Sequence, residues 1–376
     1  MKRYLDEIVS RDLAKKMVFL TGPRQVGKTT LARQLLAGYS NGQYLNFDTA
    51  NDRKTITSHA WNPQAPLLVF DELHKMPRWK SWLKGVYDGK PNENKILVTG
   101  SARLDFLKKS GDSLAGRFFS LRLHPLSVAE WCAEQGTRQE QALSHLLERG
   151  GFPEAALALN VNESERWRLQ YLDGLIREDI LEFSRLQEIN TMRVLVEMLR
   201  ERVGSPLSVA SLARDLSAST TTITRYLQIL EAIYVIFTIK PWHKNITRSL
   251  LKAPKIYFYD SGLVRGNEGV RFENLVATHL LKWVHYQRDV EGKEVDLHYI
   301  RTKDESEVDF SVVTAGHVTQ LIECKLSDTK PHNALTRFAV EHPDAAAIQL
   351  VRNLRQSIHQ ATVTIEPAAQ WLGRLI

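Results

Sequence analysis

Residues 22–29 read Gly22-Pro23-Arg24-Gln25-Val26-Gly27-Lys28-Thr29: two glycines enclosing four residues, then a lysine and a hydroxyl. This is the chemistry of phosphate capture. The glycines let the backbone turn tightly enough for several N–H groups to face one anion. Lys28 would reach the β- and γ-phosphates of ATP, and the Thr29 hydroxyl, followed by Thr30, would take a place on Mg²⁺. A second reactive pair, Asp71-Glu72, supplies what a bound triphosphate needs next. Asp71 would hold the Mg²⁺, and Glu72 would orient or deprotonate an attacking water.

A third set lies far downstream, in Val308-Asp309-Phe310 and Ile322-Glu323-Cys324-Lys325. On a strand, alternate residues face one side, so Glu323 and Lys325 point the same way and Cys324 the other. Asp309, on a neighbouring strand, would meet Glu323 across the ladder. Two converging carboxylates repel unless a cation sits between them, and oxygen ligation suits Mg²⁺ or Mn²⁺. Lys325 would align or activate a water against a phosphodiester, and Glu273 would add a carboxylate from a helix. The alternative is a solvated charge cluster of little energetic consequence.

These residues need elements to position them. Met17–Leu20 is an apolar strand before the glycine loop, and Thr30–Leu36 a helix after it. The positive end of that helix would face the phosphate. Leu67–Phe70 is apolar without alternation, as a strand buried on both faces should be, and it ends in Asp71. Gln43–Asp48 and Lys95–Ser101 read as further strands, and Phe118–Leu123 alternates like a final one. The expected class is α/β with a parallel sheet. Arg117, just before the last strand, would be an arginine finger acting in a neighbouring subunit, or a surface arginine in a turn.

Residues 155–205 repeat leucine at helical spacing, as in a helical lid and connector. Ser208–Leu216 and Thr220–Leu230 form two short helices about a polar turn, Ser217–Ser219, with Ile223, Leu227 and Leu230 on one face. That is a helix-turn-helix. Tyr234–Ile239 would be a strand, and Pro241–Ser249 a wing carrying Lys244 and Arg248. In a DNA-binding version Thr221, Thr222 and Arg225 would face phosphates or base edges. The other use of such a module is protein packing. Beyond it, Gly269–Gln287 reads as a helix with Glu273 in its first turn. Val295–Tyr299, Glu307–Val313 and Val318–Lys325 read as strands, then a helix over Ala334–Val340 and a strand over Ala347–Val351. Together they make a mixed α/β core.

The chain of 376 residues is long enough for two or three domains. Its 43% hydrophobic and 25% charged content is that of a globular protein in water. No apolar run reaches the ~18 residues of a membrane span. The start, Met1-Lys2-Arg3-Tyr4-Leu5-Asp6-Glu7, turns acidic too early for a secretory signal. Cys132 and Cys324 lie far apart without metal spacing and read as reduced thiols, so the expected location is cytoplasmic. The net charge of +7 is compatible with a polyanionic partner such as DNA.

The glycine loop through Thr30, Asp71–Trp79, Val98–Ser101, Leu114–Arg117 and His124–Ser127 occur in this order. Together they resemble a large prokaryotic group of AAA+-like ATPases related to the archaeal and STAND-type ATPases. The resemblance implies a restriction-endonuclease-like C-terminal domain of the PD-(D/E)XK type, to which Asp309, Glu323 and Lys325 conform. It implies ATP sites shared between subunits of a ring, commonly a hexamer. It makes Ser101 the sensor residue between phosphate and acid pair, and Gly150–Glu154 the element by which a lid meets nucleotide. The latter also reads as a plain helix-breaking turn. Arg177 and Asp179 match a recurring pair of the lid helices. The implied division is an ATPase core (1–128), lid and connector (129–200), winged helix (201–255) and nuclease-like domain (256–376). Such domains cleave DNA in some ATPases and serve as binding or interaction pieces in others. A nucleotide-controlled switch with a protein partner is the rival of a DNA-processing enzyme.

Overall fold

Apolar strands without alternation build the first sheet. They are β1 (Met17–Thr21), β2 (Gln43–Asn46), β3 (Leu67–Asp71), β4 (Lys95–Thr99) and β5 (Phe118–Arg122). Every residue of β1 and β3 is buried, because both faces of the sheet are covered. The strands are parallel and lie in the order β2-β3-β4-β1-β5. One face packs Phe19, Phe70, Ile96 and Val98 against Trp79, Leu83 and Val86 of the helix Trp79–Gly89. The computed structural model describes residues 1–91, 94–100, 114–181, 186–243, 253–302 and 304–376, with side chains for these except 177–181 and 186–187. Ser101, the wing residues Lys244 and Arg248, and the side chains of Arg177 and Asp179 lie outside the described residues.

Two compact units result, Met1–His124 with Ala232–Tyr234, and Pro125–Glu231 with Val235–Ile376. The first holds the parallel sheet. In the second, the helices Val209–Asp215 and Thr220–Ala232 lead into β6 (Ile236–Pro241), which pairs antiparallel with β7 (Lys255–Phe258). Strand β6 begins two residues later than its sequence implies. Tyr234 takes a left-handed backbone, φ 59°, to turn the chain out of the helix. The sheet continues through β8 (Val295–Arg301), β9 (Glu307–Thr314), β10 (His317–Lys325), β11 (Ala346–Val351), β12 (Ile358–Gln360) and β13 (Val363–Pro367). Among the described residues its order is β12-β13-β11-β10-β9-β8-β6-β7, with parallel and antiparallel neighbours mixed. Strands β12 and β13 and the helix Ala368–Gly373 go beyond the expected core. The fold is thus α/β, with a parallel sheet in the first unit and a mixed sheet in the second.

Buried polar pairs tie the second unit's helices to one another. Lys282, on the long helix Glu268–Asp289, pairs with Glu130, whose side chain also accepts from the Ser127 N–H at 3.1 Å. Arg168 donates Nε–H to Asp260 at 2.8 Å, and its Nη2 to the Arg149 carbonyl. Gly150 follows with φ 76°, and a Cβ there would lie 1.9 Å from Asp260 Oδ1. The Gly150–Pro153 turn is thereby seated on this pair. His279 accepts from the Val128 N–H through Nε2 at 3.0 Å and contacts the Leu275 carbonyl through Nδ1 at 2.8 Å. Full burial pushes its pKa down to about 4, so the neutral ring is the one that fits.

Because the folded value lies below the ordinary one, an unfolded chain takes up the proton first as pH falls. Stability from His279 is complete above about pH 6.5 and is lost toward pH 4, up to about 3 kcal/mol. The thermal transition of the second unit should therefore shift downward on acidification. His279→Gln, which keeps an acceptor for Val128 without titrating, should flatten that dependence in pH-resolved calorimetry.

Candidate functional site

The glycine loop runs from the C-terminal end of β1 into the helix Lys28–Leu36. Gly22 has φ 142°, and a Cβ there would lie 2.3 Å from the Leu123 carbonyl oxygen, so no other residue fits. Gly27, φ 103°, opens the helix, and Gln25 between them also has a left-handed backbone. Arg3 fixes the loop from outside: it donates to the Val26 carbonyl at 2.7 Å and the His124 carbonyl at 2.5 Å. Lys28 is buried, and its ammonium donates to the Gly22 and Pro23 carbonyls at 3.0 and 2.6 Å.

Strand β4 lies between β1 and β3, so Thr99 sits in register with Asp71 on one side and Leu20 on the other. The result is a hub at Asp71. Its Oδ1 accepts from Thr99 Oγ1 at 2.6 Å and from the Glu72 N–H at 3.1 Å. Its Oδ2 accepts from Thr29 Oγ1 at 3.0 Å and from the Tyr44 hydroxyl. Tyr44 comes from β2, beneath the Arg33 guanidinium, and its own ionisation is pushed up by burial and by Asp71. Glu72 follows in a left-handed conformation, φ 55°. Its carboxylate lies 3.5 Å from Lys75 Nζ and 3.6 Å from His74 Nε2, while Lys75 also holds Asp48 at 2.5 Å. Burial, then the Asp71 charge, raises the Glu72 pKa above the usual carboxylate range. Sequence reasoning missed Arg3, Tyr44 and Thr99 here. Arg117 is half-buried and pairs with Asp88 through Nε and Nη2, at 2.8 and 3.0 Å.

Ser208 and Ser219 cap the helices Val209–Asp215 and Thr220–Ala232 by accepting from the N–H groups of Ser211 and Thr222. Ile223, Tyr226, Leu227 and Leu230 are buried, leaving Thr221, Thr224, Arg225 and Gln228 outward. Thr222, expected on that exposed face, is half-buried with its hydroxyl 2.8 Å from Ser219 Oγ. Arg225 is paired with Glu188 at 2.7 Å.

The third set assembles in the second unit. Antiparallel pairing of β9 with β10, which ends with Phe310 opposite Ile322, brings Asp309 beside Glu323. Glu323 Oε2 accepts from the Asp309 N–H at 3.3 Å, and Asp309 Oδ2 from the Cys324 N–H at 2.9 Å. Lys325 donates to Glu323 Oε1 at 2.7 Å, with His332 Nδ1 at 3.2 Å from the same oxygen. Glu273 accepts from the Tyr257 hydroxyl at 2.7 Å. Burial, then the Asp309 charge, raises the pKa of both Glu273 and Glu323. Burial alone would depress Lys325, but Glu323 holds it above its usual value. Sequence reasoning missed Lys255. It is 1% exposed, and its ammonium lies 2.6 Å from Glu307, 3.6 Å from Glu273 and 3.7 Å from Asp309. Period-two alternation in Lys255-Ile256-Tyr257 was the available signal, since it puts Lys255 and Tyr257 on one face. Among the described residues, no three His, Cys, Asp or Glu side chains group so as to hold a metal ion.

Three stretches of the chain match family models. Residues 14–132 match the family model described as AAA domain. Residues 140–272 and 268–369 match two domains of unknown function, DUF8612 and DUF4143. An uncharacterized protein of Mycobacterium tuberculosis is 32% identical over 258 residues, 68% of this chain and 56% of that protein. The matched region thus spans little more than half the length of that relative. An uncharacterized protein of Methanocaldococcus jannaschii is 24% identical over 88% of this chain and 81% of its own. Among solved structures, the Walker-type ATPase of Pyrococcus abyssi aligns with a TM-score of 0.45 and 15% identity. That alignment covers 69% of this chain and 93% of the other. By the family matches, residues 14–132 carry an AAA-type P-loop domain and residues 268–369 a DUF4143 domain.

Gly22→Ala should abolish the loop geometry, since its methyl would collide with the Leu123 carbonyl. We expect loss of ATP binding by at least about a hundredfold in a fluorescent-nucleotide titration, about 3 kcal/mol.

Proposed function

We propose that this protein binds and hydrolyses ATP and couples the nucleotide state to DNA, working as a ring, with a hexamer as the expected size. The observation that carries the ATPase reading is the convergence of Thr29 and Thr99 on Asp71 beside the Lys28 loop. Thr29 Oγ1 and Asp71 Oδ2 are hard oxygen donors 3.0 Å apart, which fits Mg²⁺. These two residues would hold the ion, which when bound neutralises charge on the phosphates. Lys28 would exchange its two loop carbonyls for phosphate oxygens, a charge-assisted and therefore stronger pairing. Gly22 to Thr30 would wrap the phosphates with backbone N–H groups. Glu72 would orient a water and accept its proton, a role that its raised pKa favours near neutral pH. Ser101 is the proposed sensor. Arg117 would act in a neighbouring subunit after releasing Asp88.

The helix Thr220–Ala232 supports the DNA reading through its outward Thr221, Thr224 and Arg225, preceded by a tight turn. A second reading is a nucleotide-controlled switch with a protein partner, its C-terminal domain an interaction module. It is favoured by the single basic residue of that helix, Arg225, which is engaged by Glu188.

The deciding experiment is steady-state ATP turnover with Mg²⁺, alone and with linear, single-stranded or branched DNA. We expect stimulation of several-fold by one DNA form, and loss on the order of a hundredfold in Glu72→Gln. DNA affinity should fall steeply with salt, and Arg225→Ala should lessen that slope by about one. A rate indifferent to every DNA form would shift the reading to the switch.

A further inference from the structure

We infer that Lys255 is the resident cation of the C-terminal carboxylate cluster, standing where a divalent ion would have to sit. The residues of the cluster thus do not fit the metal that their order in sequence implies. Four carboxylates, Glu273, Glu307, Asp309 and Glu323, are gathered around two adjoining points. Each point already has its ammonium. Lys325 serves Glu323 at 2.7 Å. Lys255 serves the other three from 2.6, 3.6 and 3.7 Å, with the Tyr299 ring 5.3 Å away on another side.

A divalent ion needs oxygens at about 2.0–2.6 Å around a common centre. Most of the oxygens that would supply them are committed. Asp309 Oδ1 faces Lys255, and Oδ2 accepts the Cys324 N–H. Glu273 Oε1 accepts the Tyr257 hydroxyl and faces Lys255. Glu323 divides its oxygens between Lys325 and the Asp309 N–H. An ion placed among them would stand within about 4 Å of a buried ammonium, where like charges repel strongly.

The position of Lys255 in the chain gives this arrangement a purpose. It lies on β7, the second strand of the hairpin that follows the helix-turn-helix. Its ammonium reaches Glu307 and Asp309 on β9 and Glu273 on the long helix. The lysine therefore pins the hairpin to the strands that carry the nuclease-like signature. The domain holds its shape without metal and does not cleave phosphodiesters by metal catalysis. This conclusion is independent of the ATPase reading, since the cluster lies wholly in the second unit.

The test is Mn²⁺ binding to nucleotide-free full-length protein, followed by electron paramagnetic resonance, for wild type, Asp309→Asn, Lys255→Met and the double variant. Wild type and Asp309→Asn should bind Mn²⁺ identically. Lys255→Met should gain one site that Asp309→Asn removes, and its lowered melting temperature should rise with Mn²⁺. Mn²⁺ binding by wild type that disappears in Asp309→Asn would overturn the inference. So would Mn²⁺-dependent cleavage of plasmid DNA lost in the same variant, or a folded Lys255→Met that gains no site. Should Lys255→Met not fold, Lys255→Gln takes its place and the wild-type comparison stands by itself.

Discussion

The hydrogen-bonded Asp71 carboxylate is the point on which the first unit is organised. It ends a fully buried strand, so its charge must be satisfied where water has little access. Four donors do this from four segments: Thr29 at the loop helix, Tyr44 on β2, Thr99 on β4, and the backbone of Glu72. The strand order β2-β3-β4-β1-β5 is what brings them together. Removing any one hydroxyl leaves a buried carboxylate short of a partner, at a cost of about 1–3 kcal/mol. The same donors hold the carboxylate aimed at the loop that would take phosphate.

The two units neutralise buried carboxylates in different ways, and the difference separates their chemistry. Around Asp71 the partners are hydroxyls and an N–H, which carry no net charge and leave the negative charge uncompensated. Around Asp309 and Glu323 the partners include two lysines, one of them almost wholly buried. A breach in such a buried ionic set is strongly destabilising, because the remaining charge is left uncompensated. The first arrangement is poised for a ligand; the second is closed on itself.

Much of this was legible in the amino-acid order. The glycine loop, its strand and its helix are local, and so is the apolar run that ends in Asp71. Glu323 and Lys325 share a face because strand alternation demands it, and Asp309 meets Glu323 through its backbone N–H on the neighbouring strand. The helix Thr220–Ala232 followed from the i, i+4, i+7 spacing of Ile223, Leu227 and Leu230. Thr222 did not follow, because its hydroxyl folds back on the helix cap at Ser219. Arg3, Tyr44, Thr99 and Lys255 were missed for a shared reason. Each acts through a partner brought near only by tertiary folding, 23 residues away for Arg3 on Val26 and 28 for Thr99 on Asp71. No spacing rule spans such distances.

The most direct test of the central role of Asp71 is a titration with a fluorescent ATP analogue, with and without Mg²⁺, in wild type and Asp71→Asn. Mg²⁺ should tighten binding to the wild type on the order of tenfold, about 1.4 kcal/mol, and leave Asp71→Asn unchanged. Equal affinity with and without Mg²⁺ in the wild type, or full Mg²⁺ dependence in Asp71→Asn, would contradict the account.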